Sequence, residues 1–222
     1  MARRHARAQA GFTAIEVMVV IAIVGIMTAL AVPQMRNYFN DQRLKSAART
    51  MADTFSIARA QAIRTGTNQI VFVRRDMLNA ALTNQAGTVV PILTLNDGRP
   101  GAAGQNCRID AGEPSTSEMA QVGVNWGVTF AGAARAPGDT GLGPIATGSS
   151  FRDQLGANTT WVMFRPDGVP VGVTAACVAG GTGTGGGAIY LTNGTRDYAV
   201  VLSPLGGVRV HAWDRATGAW RN

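Results

Sequence analysis

Histidine is almost missing from this chain. His5 and His211 are the two in 222 residues, so histidine-based acid/base chemistry and histidine metal sites have almost no material to work with. Cysteine is nearly as scarce: Cys107 and Cys177 stand far apart, with no CxxC or Cys/His spacing of the kind zinc requires. They are either one disulfide, which would belong outside a reducing compartment, or two separately buried thiols, and spacing alone leaves both open. Charged residues make up 15% and aromatics 6%, so the core must rely on Val, Ile, Leu and Ala. With 28 glycines the composition argues against a helical bundle and for a turn-rich β domain.

Enzymatic constellations are missing too. Ser203, His211 and Asp214 can be written down as a triad, but no nucleophile elbow accompanies them. No paired carboxylates stand out for acid/base work, and no cofactor or metal is expected. The tract GGTGTGGG at 180–187 leads into a strand and not a helix, which removes the context a dinucleotide or phosphate loop needs.

The formal charge is +7, a sign that can point to nucleic acid or anionic membrane. Three of the basic residues, Arg3, Arg4 and Arg7, fall in the first ten positions, and without them 17 basic residues face 13 acidic ones. That excess does not demand a polyanionic partner.

What is present is concentrated at the N-terminus. Residues 12–32, FTAIEVMVVIAIVGIMTALAV, hold Glu16 as their one charge, and their length matches the ~20 residues of a membrane-crossing helix. Basic residues precede the run and Arg36, Asn37, Asn40, Asp41 and Gln42 follow it, as for an anchor with its N-terminus in the cytoplasm. A secretory signal peptide has a shorter apolar stretch and no acid. A plain anchor fits the length but gives Glu16 no reason, and an intramembrane carboxylate is a functional-site hypothesis by default.

Past Pro33 the helical period continues through Leu44, Ala48, Met51, Phe55, Ala58 and Ala62, with Arg43, Lys45, Arg49, Asp53, Arg59 and Arg64 expected on the solvated side. Gly66 supplies the C-terminal stop. A helix over 12–64 would be roughly 80 Å long. The period then changes, and strands are predicted over 69–74, 89–95, 122–130, 160–164, 188–192, 198–203 and 208–213, the last three as an antiparallel meander. Stretches 96–118, 132–150 and 179–187, rich in Gly, Ala, Pro, Ser and Thr, read as loops or partly mobile insertions. The fold class is α+β: a long N-terminal helix, half transmembrane and half amphipathic, packed on an antiparallel sheet head. The segments are 1–11, 12–33, 34–66 and 67–222.

Gly11-Phe12-Thr13-x-x-Glu16, with basic residues before it and an apolar run after it, resembles the type IV prepilin cleavage signal. The resemblance implies that residues 1–11 are a leader, that a prepilin peptidase cuts after Gly11 and methylates Phe12, and that the anchor stays in the product. It implies that Glu16 meets the N-terminal amine of a neighbouring subunit during assembly, and that Gly25 and Pro33, 21 residues after Phe12, serve helix packing and bending. The arginine-studded helix RLKSAARTMADTFSIARAQAIRTG, the strand NQIVFV, the turn Phe164-Arg165-Pro166-Asp167-Gly168 and a terminal meander with a late Gly and Arg resemble the GspH/FimT family of minor pilins and pseudopilins.

That family implies one of two roles. The first is a minor pseudopilin of type II secretion in the inner membrane, head in the periplasm, with other pseudopilins, an inner-membrane assembly platform and membrane lipid as partners. The second is a minor pilin of a type IV pilus, whose relatives in some bacteria bind DNA through a C-terminal glycine, arginine, x, arginine motif. The corresponding stretch is Gly207-Val208-Arg209-Val210, one arginine short, with Arg215 and Arg221 following.

Overall fold

The computed structural model describes residues 12–101, 105–110, 112–119 and 121–221. One helix, α1 (Ala14–Thr65), precedes ten strands: β1 (Gln69–Val73), β2 (Ile92–Asn96), β3 (Ser115–Glu118), β4 (Asn125–Trp126), β5 (Trp161–Phe164), β6 (Pro170–Val171), β7 (Gly187–Thr192), β8 (Asp197–Leu202), β9 (Val208–Asp214) and β10 (Ala219–Arg221). The chain divides into two compact units, one ending at Phe39 and one from Asn40 to the C-terminus. Among the described residues the first holds the N-terminal part of α1. The second holds the C-terminal part of α1 and all the strands.

In the second unit the strands form two five-stranded antiparallel sheets, ordered β3-β2-β1-β5-β6 and β10-β9-β8-β7-β4. The predicted apolar stripe Leu44, Ala48, Met51, Phe55, Ala58 and Ala62 is 0–2% exposed and forms one core with Val71, Val73, Val162 and Phe164 of the first sheet and Ile189, Leu191, Val200 and Leu202 of the second. The Phe55 ring lies 6.0 Å from Phe151 and 6.5 Å from Phe164. α1 thus serves both sheets with one face.

The outer faces are covered as well. Ile70, Phe72, Leu93, Leu95 and Met163 point away from the helix into a second cluster closed by Leu82, Cys107 and Val173. Ala188, Tyr190, Ala199 and Val201 enter a third, closed by Ala136 and Ile145. Burial on both faces is why β1 and β7 are buried along their whole length, and why such strands read as continuous apolar runs.

The Gly-rich stretches, expected as loops or partly mobile insertions, are mostly loops, and those over 96–118 and 132–150 supply part of this cover. Cys107, Ala136 and Ile145 lie inside them and are buried. Buried carboxylate side chains meet backbone polar groups in these stretches and just ahead of 132–150. Asp197 accepts the N–H groups of Thr129, Phe130 and Ala131. Asp139 accepts from Gly141 N–H, the Ser150 and Tyr190 hydroxyls and Arg135. Asp97 accepts from Asn106 and Cys107. A covering loop needs such partners, because an unpaired buried amide costs as much as a lost hydrogen bond.

Stretch 96–118 also contains β3, and 122–130 yields a strand of two residues, β4. β3 (Ser-Thr-Ser-Glu) is an edge strand with no apolar alternation to announce it, and Val122 to Phe130 is mostly spent on turns around Gly123 and Gly127. β6 and β10 were not foreseen; each has two or three residues.

One turn recurs. In Asp76–Ala80, Asn84–Thr88, Asp153–Ala157, Arg165–Val169, Thr174–Val178 and Ser203–Gly207 the first N–H donates to the fifth carbonyl and the fourth N–H donates to the first carbonyl. The fourth residue has φ between 62° and 85° in all six, the three-residue hairpin with a left-handed closing position. Glycine takes that position four times; Asn79 and Cys177 take it in the others.

Two outcomes are expected. Phe55→Ala empties the junction of helix and both sheets and should lower the unfolding free energy by about 3–5 kcal/mol, read by denaturant titration of the full chain in detergent. The second concerns His211, buried on β9. Burial first, then the Arg209 charge, hold its ring below the ordinary histidine range near 6.5. The unfolded chain therefore takes up the proton first, so stability is full above about pH 6.5 and falls as pH drops from there toward the folded-state value. His211→Phe should flatten that fall in a pH series of melting temperatures; an identical fall in the variant would assign it elsewhere.

Candidate assembly segment and head surfaces

The first unit begins with a cap. The Glu16 N–H donates to the Thr13 hydroxyl at 3.3 Å and to the Thr13 carbonyl at 3.1 Å, so Thr13 is the N-cap of α1 and Glu16 its third residue. Thr13-x-x-Glu16 is the Ser/Thr-x-x-Glu pattern of a capping box. The sequence carried this signal, and the cleavage motif obscured it. A carboxylate in the first turn is also favoured by the helix dipole. Glu16 is exposed, and among the described residues it makes no ion pair.

Phe12 is 83% exposed, and Ile15, Met18, Val19, Ile21, Ile26 and Leu30 are all exposed on the same unit. Such a surface far exceeds what a soluble domain leaves to water. By length and composition this helix suffices to cross a membrane. Thr28, the polar residue in its middle, returns its hydroxyl to the Val24 carbonyl at 2.7 Å, as a polar group in hydrocarbon must. A Cβ added at Gly25 would meet nothing within 4 Å; the chain's own packing does not call for glycine there. α1 runs on through Pro33. Gly11 and the rest of the leader lie outside the described residues.

On the head, the expected solvated charges Arg43, Lys45, Arg49, Asp53 and Arg64 are exposed, and Arg59 is not. Its Nη1 donates to the Gly206 carbonyl at 3.1 Å. A Cβ on Gly206 would sit 3.0 Å from Arg59 Nε and 3.0 Å from the Gly168 carbonyl, and one on Gly168 would sit 2.6 Å from Ile63 Cδ1. The turn ending in Gly168, from the first sheet, and the late glycine turn, from the second, therefore meet on one helical arginine. Sequence reading found the two turns and missed what joins them, because an arginine on a charged helix face carries no mark of being used.

The three C-terminal arginines are not a cluster of free cations. Arg221 Nε pairs with Asp214 at 2.8 Å, and the Arg215 guanidinium lies 3.9 Å over the Phe130 ring. Arg209 is exposed on β9. Cys107 and Cys177 are joined in a disulfide with their Cα atoms 5.5 Å apart. It ties the loop after β2 to the hairpin after β6. Asp97 lies beside it, but sulfurs bonded to each other offer no thiolate to a metal. Ser203, His211 and Asp214 make no hydrogen bonds to one another; Ser203 Oγ accepts the Gly207 N–H and Asp214 accepts the Ala216 N–H.

Residues 6–32 match the family model described as the prokaryotic N-terminal methylation motif. A fimbrial protein of Pseudomonas aeruginosa is 33% identical over 75 residues, 34% of this chain and 43% of that protein. The type IV major fimbrial protein FimA of Dichelobacter nodosus is 46% identical over 46 residues, 21% of this chain and 28% of that protein. The chain is type IV pilin-like. It spans less than half the length of the curated relatives it matches, and no solved structure matches it. The long helix followed by antiparallel sheets is the α+β arrangement expected of a pilin-like subunit. Within it, Gly206→Ala should lower the unfolding free energy by about 1–3 kcal/mol, since it strains a left-handed turn and displaces Arg59. A loss of a few tenths in a denaturant titration would show that the Arg59 junction tolerates a side chain.

Proposed function

We propose that this pilin-like chain is cut after Gly11, N-methylated at Phe12 and held by residues 12–33 in the bacterial inner membrane, with its head in the periplasm. From there it enters a filament as a minor pseudopilin of a type II secretion system. The observation that carries the filament role is Glu16: an acid in the first turn of an apolar helix, without an ion pair among the described residues. In a bilayer an unpaired carboxylate is costly. A neighbouring subunit's N-terminal amine would relieve that cost only on assembly, so Glu16 acts as a register device and adds little net stability. Segments 1–11, 12–33, 34–66 and 67–222 are, in this reading, leader, filament-core helix, amphipathic helix and head. The prepilin peptidase, other pseudopilins, the assembly platform and lipid are its partners, and no catalysis is assigned.

The fimbrial names of the relatives favour a second reading, a FimT-like minor pilin of a type IV pilus. DNA uptake through the head is the weaker part of that reading. Arg215 and Arg221 are already engaged, and phosphate binding wants several free cations and a steep salt dependence.

Intact mass of the mature chain tests the processing step: the expected N-terminus is methylated Phe12, and a start beyond Val32 would return the segment to a removed signal peptide. Glu16→Ala should be excluded from filaments when co-expressed with normal partners, measured by its share of sheared filament protein. Wild-type incorporation of the variant would end the role given to Glu16. A gel shift of the full chain on duplex DNA at low salt separates the DNA arm, where no shift is expected.

A further inference from the structure

We infer that the Cys107–Cys177 disulfide is a site of proton-coupled thiol–disulfide exchange, at which an external dithiol attacks Cys177 and Asp97 protonates the departing Cys107 sulfur.

The two cysteines are unequal. Cys107 is 0% exposed in the loop after β2, whereas Cys177, at the fourth position of the hairpin Thr174–Val178, is half-buried. An attacking thiolate from outside therefore meets Cys177, and the sulfur that must leave is the buried one. Burial of a thiolate is unfavourable unless something supplies charge or a proton.

Asp97 stands at the leaving sulfur. It is 1% exposed, and its two oxygens have different surroundings. Oδ1 accepts the N–H groups of Cys107 at 2.8 Å and Asn106 at 3.2 Å. Oδ2 faces Cys107 Sγ at 3.6 Å, and that sulfur is its one hydrogen-bond-range neighbour among the described residues. A disulfide sulfur has no hydrogen to give. A hydrogen lies between the two atoms only if Oδ2 carries it, so the arrangement suits a protonated carboxyl facing sulfur. The surroundings act the same way. Burial, against the two N–H donors, and then the nearby charge of Asp110 hold Asp97 above the ordinary carboxylate range. Glu113 also feels the Asp97 charge, and Asp76 lines the same pocket as Cys107 and Asp110. Arg108 is exposed, and the Thr174–Val178 hairpin, β1 and β5 bring no charge.

The step balances. The dithiol's thiolate bonds to Cys177 Sγ, the S–S pair leaves on Cys107 Sγ, and the Asp97 proton moves to that sulfur, leaving a mixed disulfide, a Cys107 thiol and an Asp97 carboxylate. The second thiol of the dithiol then closes on the first, releasing Cys177. The dithiol loses two electrons and the protein disulfide gains them. In reverse, Asp97 removes the proton that makes Cys107 a nucleophile. Reduction would free the loop over 97–113 from its hairpin and loosen the cover on the outer face of the first sheet.

The test uses the full chain in detergent, reduced with dithiothreitol from about pH 5 to 8 and followed by acid quench, alkylation and mass. For Asp97→Asn the rate should climb roughly tenfold per pH unit with the reagent's thiolate. For wild type the climb should be shallower, because Asp97 gives up its proton as pH rises; equal slopes overturn the role of Asp97. A second measurement needs no variant: glutathione mixed disulfide trapped on the folded wild-type chain should map to Cys177. A label on Cys107, an even split, or no exchange short of unfolding overturns the proposal.

Discussion

Everything in the head follows from a shortage. One amphipathic helix offers a single apolar stripe, and two sheets must share it. Leu44 to Ala62 fill the space between the sheets, which leaves the far face of each sheet without a helix to cover it. A sheet with both faces apolar cannot leave one of them to water, so loops have to serve as the outer layers. Loops bring unpaired backbone amides wherever they go. Asp97 and Asp197, both buried, and Asp139, whose side chain is closed from solvent, each accepting backbone N–H groups, are the consequence. They are as much part of the core as Phe55 is.

This explains what could be read in advance. The helix stripe, the switch from a 3.6 to a 2 period and the terminal meander depend on apolar spacing, and spacing is visible in a sequence. Loop cover depends on a few polar atoms reaching particular amides across long separations, as Asp197 reaches Thr129, and no local pattern marks it. Low apolar content in 96–118 and 132–150 suggested mobility because the apolar residues that do matter there, Cys107, Ala136 and Ile145, are isolated single contacts. Their order comes from hydrogen bonding, which composition does not weigh. Short edge strands such as β3 and β6 fail for a related reason: a strand of two to four residues is defined by its partner's ladder and not by its own preference.

The assembly segment was legible for the opposite reason. It has almost no tertiary structure, so its chemistry is written in order along the chain. What sequence reading took only as a processing signal is also a helix start, with Thr13 capping the N–H of Glu16. The two uses are compatible. The proposed cut before Phe12 would place a new positive amine one residue ahead of the N-cap, at the end of the helix where the dipole is already positive. That end would hold an amine and a dipole of the same sign with one carboxylate to answer both.

Glu16 and Gly25 then pose the same question. An exposed acid that makes no ion pair among the described residues would be a cost inside a bilayer, and a glycine whose Cβ would touch nothing is a cost to an isolated helix of roughly 1 kcal/mol against alanine. Neither is repaid by any contact within the first unit. In the head Gly187 is pressed against Phe151 and Gly206 against Arg59, and Asp139 and Asp197 each accept several hydrogen bonds. The first unit also leaves its apolar surface exposed among the described residues, so in the proposed reading one event, the packing of neighbouring helices in or out of a bilayer, would answer the acid, the glycine and that surface together.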